Sequence, residues 1–146
     1  MANLRLTASK AAEFAELVSV HSGVKVSAVF ARLACSGKDP IEPMTLAYGF
    51  CDNGVLVGCL TATYMMISPN ADAPDGSVVM ISGLHVLPEY RGRGVARAMI
   101  SSVESDAREF FQAGYVFVES VSDAFWASLG YKAEADETIM LKSLGE

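Results

Sequence analysis

The stretch from Val78 to Ile100, VVMISGLHVLPEYRGRGVARAMI, constrains this chain more than any other. An apolar, β-prone run ends at Pro88, a loop carries Arg91, Gly92, Arg93 and Gly94, and an amphipathic segment starts immediately at Val95. A strand, a glycine turn and a helix N-terminus in succession leave backbone N–H groups unsatisfied where nothing bulky bars an anion, so the turn is a phosphate cradle. It is not a Walker A loop, because neither Lys nor Ser/Thr follows Gly94. Nor is it the dinucleotide pattern G-x-G-x-x-G, because Arg97 stands where the last glycine belongs.

The chain is acidic overall, with 17 Asp and Glu against 11 Lys and Arg and a net charge of −6, yet Arg91, Arg93 and Arg97 all fall in this stretch. Local cations in an acidic chain point to a bound anion, while the overall balance argues against nucleic acid and suits a neutral or cationic small acceptor. The N-terminus MANLRLTASK has no apolar core of a signal peptide and no long apolar run follows, so a soluble cytoplasmic protein without membrane contact is expected. Cys35, Cys51 and Cys59 are odd in number and lack metal-ligand spacing, which predicts reduced thiols and no metal. With 146 residues, 51% of them hydrophobic, the chain suits a single domain over 1–146 that buries its own core.

Periodicity orders the elements. Leu4 and Leu6 alternate as a short strand, then Phe14, Leu17, Val18 and His21 mark one face of a helix that Gly23 can close. Val26, Val29, Phe30 and Leu33 repeat that spacing in a second helix before Gly37 and Pro40. Met44–Cys51 and Val55–Ile67 are β-prone runs joined by Asp52-Asn53-Gly54, a hairpin signal, and Ser68–Ser77 reads as a surface loop. Val78–Leu87 is apolar enough to be central in a sheet. After the turn come a helix with Ala96, Met99, Ile100, Val103, Ala107 and Phe110 on its apolar stripe and Glu104, Asp106, Arg108 and Glu109 towards water, a strand at Tyr115–Ser120, a helix at Ser122–Leu129, and two short strands around Tyr131–Ala133 and Thr138–Leu144. This order is that of a mixed α+β domain.

At this point the sequence resembles the GNAT superfamily of acyl-CoA-dependent N-acetyltransferases. The superfamily's pyrophosphate loop, [QR]-x-x-G-x-[GA], is matched by Arg91-Gly92-Arg93-Gly94-Val95-Ala96. A preceding pattern like L-x-V-x-P-E-Y-R-G is matched by Leu84, Val86, Pro88, Glu89, Tyr90, Arg91 and Gly92, and the closing L-G-[FY] by Leu129-Gly130-Tyr131 after Phe125-Trp126. The resemblance covers nearly the whole chain. It implies a GNAT-like α+β fold, a mainly antiparallel twisted sheet of about six to seven strands with a splayed central pair, flanked by about four helices.

It also implies the roles. The strand at Leu84, His85 and Val86 splays from its neighbour at Tyr115–Ser120 and offers main-chain groups to the pantetheine arm and the acyl carbonyl. The amides from Gly92 to Ala96, with Arg91 and Arg93 at the rim, cradle the diphosphate of acetyl-CoA, the co-substrate. Phe125 and Trp126 border the thioester, and the acetyl group passes by direct attack to a primary amine of a small metabolite or peptide. The N–H of Val86 is the natural polariser of the carbonyl. The chain departs from the family at Trp126, four residues before Gly130, where a tyrosine commonly serves as general acid. An indole N–H does not ionise, so Ser122, Tyr131 or a water is left to supply that proton, unless the thiolate leaves unprotonated.

His85 is the candidate base, since an imidazole with an ordinary pKa of about 6.5 suits neutral pH and the ring should face away from Leu84 and Val86. His21 reads as a core or helix-end histidine, and Glu42, Asp52 and Glu119 as solvated or turn-forming carboxylates that could act as bases. Tyr64, Met65 and Met66 could line an acceptor pocket or simply pack. Two rivals remain open: a catalytically weak CoA-binding sensor or interaction module, and a different phosphate-binding protein using the same turn. The acceptor is unassigned, and either a monomer or a homodimer is compatible.

Overall fold

Asn53 and Gly54 take left-handed conformations, φ 51° and 78°, which Asn tolerates and Gly, lacking a Cβ, adopts freely, and these close the hairpin. The structure is a computed structural model describing residues 2–119, 124–134 and 138–145. Along the described chain run β1 (Ala2–Arg5), α1 (Ala11–Ser22), α2 (Ala28–Ala34), β2 (Met44–Asp52), β3 (Val55–Met66), β4 (Ser77–Val86), α3 (Val95–Glu109), β5 (Tyr115–Glu119), α4 (Ala124–Ser128), β6 (Lys132–Ala133) and β7 (Ile139–Ser143). The strands form one sheet in the order β1-β2-β3-β4-β5-β7-β6. Every pairing is antiparallel except β4 with β5. The parallel pair follows from α3, which returns the chain over one face before β5 begins.

Each face of the sheet buries its own core. On one, Met99, Ile100, Val103 and Ala107 of α3 pack with Trp126 of α4 on Tyr48, Leu60, Tyr64, Val79, Ile81 and Val116. On the other, Phe14 and Leu17 of α1 and Ala31 and Ala34 of α2 pack on Ala47, Cys51, Leu56 and Cys59. β4 lies in the middle of the sheet, as its apolar run requires.

Three expectations need correction. α2 forms where its spacing predicts, and the Ser27 hydroxyl caps it by accepting from Phe30 N at 3.0 Å. Its buried face, however, is Ala31 and Ala34, while Val29 and Leu33 are 59% and 70% exposed. The alanines let the helix approach the sheet closely, and the larger residues are left outside. Glu104 and Asp106 do not face water. α3 runs between β1 and the β7 side of the sheet, so Asp106 meets Arg5 and Tyr48 and Glu104 meets Tyr131 and Lys142.

Candidate functional site

β4 and β5 are paired only from Val78 to Ile81, against Tyr115 to Val118. β4 then continues to Val86 without its neighbour, and a gap opens between the two strands. A bulge accompanies the divergence: Thr61 pairs with Ser82 but Cys59 with His85, which leaves one extra residue on β4, and Gly83 sits there at φ 62°. The added residue resets the alternation. Leu84 and Val86 pack towards the α3 and α4 core, whereas His85 faces the α1 side opposite Cys59.

Backbone bonding beyond the bulge is equally directional. Leu87 N donates to Val57 O at 2.9 Å, so antiparallel alternation turns the N–H and C=O of Val86 away from β3 and into the gap. The carbonyl accepts from Arg91 Nε at 3.1 Å. The N–H therefore faces the opening at the strand divergence. A donor fixed in this way can polarise a carbonyl without reorganising.

The turn behind β4 leaves room and free donors for an anion. Gly92 and Gly94 have φ 77° and 81°, and a Cβ added to either would meet nothing within 4 Å. Gly94 is the N-cap of α3 and no side chain caps the helix, so the first-turn N–H groups are open to a ligand. Tyr90 donates from its hydroxyl to Asp52 Oδ2 at 2.5 Å, which ties the turn to the β2–β3 hairpin. An acidic group of the sequence reading is thus engaged in structure.

These elements enclose a cleft of about 1060 Å3 that passes between β4 and β5. Leu84, His85, Val86, Arg91, Gly92, Gly94, Val95, Ala96, Phe125 and Trp126 line it, so the structure brings together ten of the residues singled out from sequence. Arg93 is not among the lining residues; its guanidinium lies over the Tyr90 ring, 5.1 Å from the centroid. Tyr131 is also set apart. It is buried edge-to-face behind Trp126, ring centroids 5.0 Å apart, and its hydroxyl is committed to Glu104. Ser122 lies outside the described residues. Tyr64 is buried in the core beside Phe111, away from the cleft lining, which favours packing over an acceptor pocket.

His21, Glu119 and Arg97 also line the cleft. His21 reaches it from the last turn of α1 and stacks on His85, with centroids 5.7 Å apart and planes 29° off parallel. Burial, and then His21, hold His85 below the ordinary histidine value. Glu119 stands at the exposed end of β5, and Arg97 follows the turn on α3. Helical spacing places His21 on the inner face of α1 but says nothing of which strand that face meets. Burial pushes the Cys59 thiol up to about 12 and Cys35 to about 11, so neither is a nucleophile near neutral pH. Among the described residues, no three His, Cys, Asp or Glu stand close enough to hold a metal, and no helix is long and apolar enough to cross a membrane.

Comparison with known proteins bears on this arrangement. Residues 27–131 match the model of the acetyltransferase (GNAT) family. No curated protein matches the sequence. Among solved structures, the Arabidopsis thaliana NAA60 complex with acetyl-CoA superposes with a TM-score of 0.74 at 13% identity, covering 97% of each chain. A predicted acetyltransferase from Clostridium acetobutylicum, also with acetyl-CoA, gives 0.73 at 10% identity and 92% of each chain. A probable N-acyltransferase from Enterococcus faecalis gives 0.70 at 18% identity; 90% of this chain is covered, but it spans only 32% of that protein. At these identities the likeness is one of fold, and it includes the mixed seven-stranded sheet with its parallel pair.

Proposed function

The chain belongs to the GNAT family of acetyltransferases, and from that premise we propose that it transfers the acetyl group of acetyl-CoA directly to a primary amine of a small metabolite or peptide. The observation that carries this reading is the two-sided cleft at the strand divergence, with the open turn of Gly92 and Gly94 at its edge and His85 on the opposite sheet face from Leu84 and Val86. Acetyl-CoA, when bound, supplies the acetyl thioester, and two of the structural neighbours hold it. The residues present fit its diphosphate, since the first-turn amides of α3 are uncapped and sterically open. We take the 146 residues as one such domain, acting in the cytoplasm as a monomer or homodimer.

In this reading the amides from Gly92 to Ala96 hold the diphosphate, with Arg91 and Arg93 adding charge at the rim. Val86 N–H orients and polarises the acyl carbonyl. His85 takes one proton from the arriving ammonium group. The freed amine forms the new C–N bond as the C–S bond breaks, and its second proton leaves with the thiol. Trp126 closes the wall of the cleft with its ring and moves no proton. Water relays that second proton from the amine to the departing thiolate, a role that Tyr131, committed to Glu104, does not fill.

Trp126 also favours one alternative, a CoA-binding sensor with little turnover. Thiol release from acetyl-CoA across a panel of primary amines separates the two. Amine-dependent release supports the transferase. Tight CoA binding with no release above the rate without amine overturns it in favour of the sensor.

A further inference from the structure

His85 is not alone on its face of the cleft. The bulge at Gly83 turns the His85 side chain towards α1, and the last turn of that helix brings His21 over it in an offset stack, centroids 5.7 Å apart and 29° from parallel. Both rings line the same opening. We propose that His21 is a positioning residue for His85, holding that imidazole in one orientation at the acceptor side of the cleft and opposing a second positive charge beside it. The proposal rests on the transferase reading above.

The stack does two separable things. A ring in an offset stack with another limits rotation of His85 about its own χ2, which keeps one nitrogen aimed at an incoming amine; a productive base must be held in hydrogen-bond reach of its proton. Two imidazoliums with centroids 5.7 Å apart repel, so a charge on His21 disfavours a proton on His85. Cys59 lies opposite His85 across the ladder on β3, and the other ionisable groups lining the same opening are Tyr90, Arg91, Arg97 and Glu119. Cys59 stays a neutral thiol. Burial depresses the basicity of His85 first and His21 adds to it, so removal of His21 relieves only part of the effect.

The chain contains two histidines, so their ring signals in a carbon–proton correlation spectrum can be assigned by single substitution. Three proteins separate the two roles: wild type, His21→Phe, which keeps a stacked ring without a basic nitrogen, and His21→Ala, which keeps neither. In both variants His85 should titrate at a higher pH than in the wild type. His21→Ala should lower kcat about tenfold, whereas His21→Phe should restore kcat towards wild type, and the KM for acetyl-CoA should be unchanged in both. An identical His85 titration in all three proteins, or undiminished kcat in His21→Ala, overturns the proposal. His85→Ala distinguishes the underlying reading: if it turns over undiminished, the base assignment falls and this proposal with it. If His85→Ala is impaired but the titration of His85 ignores His21, this proposal falls alone.

Discussion

Tyr131 donates its hydroxyl hydrogen to Oε2 of Glu104 at 2.7 Å, while Lys142 Nζ donates to Oε1 of the same carboxylate at 3.1 Å. Burial, reinforced by this bond, pushes the Tyr131 phenol far above its usual range. A phenol held that firmly joins the segment after α4 to the middle of α3. Tyr131→Phe removes one donor from a buried carboxylate and should cost about 1–3 kcal/mol of stability in urea unfolding. Turnover of the folded variant should keep its rate and its alkaline pH dependence. Loss of an alkaline limb on substitution would return Tyr131 to the proton chemistry.

Asp106, two residues further along α3 and on its opposite side, anchors the helix in the same manner. Its Oδ2 accepts from Arg5 at 2.7 Å and from the Tyr48 hydroxyl at 2.7 Å, and Tyr48 lies 2.5 Å from the Tyr64 hydroxyl inside the core. Asp106→Ala would strand two donors at once and should cost about 3 kcal/mol, read as a lower urea midpoint. Arg5 retains Asp39 as a partner, so Asp39→Ala, at a more exposed pair, should cost under about 1 kcal/mol. Equal losses from the two variants would contradict the assignment of Asp106 as the anchor.

What the sequence made legible divides along a physical line. The order of elements, the Asn53-Gly54 turn and the glycine turn before α3 are local, since each depends on residues a few positions apart, and the observed strand pairings and φ angles agree with them. Central placement of β4 followed from its apolar length. The partners of Glu104 and Asp106 were not legible, because a carboxylate beside an apolar stripe looks solvated until Arg5, Tyr48, Tyr131 and Lys142 arrive from distant strands. The inward face of α2 was misread because alanine periodicity is quieter than that of Val29, Phe30 and Leu33. His21 was undervalued for the same reason as the carboxylates: its companion is on another element.

Gly94 offers a direct test of the anion cradle. At φ 81° with open space around it, an alanine there meets no neighbour, and its cost of about 1–2 kcal/mol is that of the left-handed backbone alone. Relaxing that strain displaces the first N–H groups of α3, so Gly94→Ala should weaken acetyl-CoA binding about tenfold in calorimetry. Gly54→Ala carries similar strain at φ 78° in the hairpin turn and should leave that affinity unchanged. A Gly94→Ala protein that binds acetyl-CoA as tightly as the wild type would remove the diphosphate from this turn.

His85 should also mark itself in the pH dependence of stability. Its folded-state pKa is lowered, by burial first and His21 second, so the folded protein resists a proton that the unfolded chain accepts near about 6.5. Stability from this group is therefore complete above that pH, declines as pH falls between the unfolded value and the lower folded one, and is level again once both states are protonated. His85→Gln should remove this decline, making its urea midpoint less sensitive to pH than that of the wild type between pH 7 and pH 5. If His85 is the base, as proposed, the acid limb of kcat/KM in the wild type should lie below about 6.5 for the same reason, because the free enzyme would then have to present His85 unprotonated. Parallel stability curves for the two proteins would show that His85 carries no proton linkage, and an acid limb above that value would assign the base to another group.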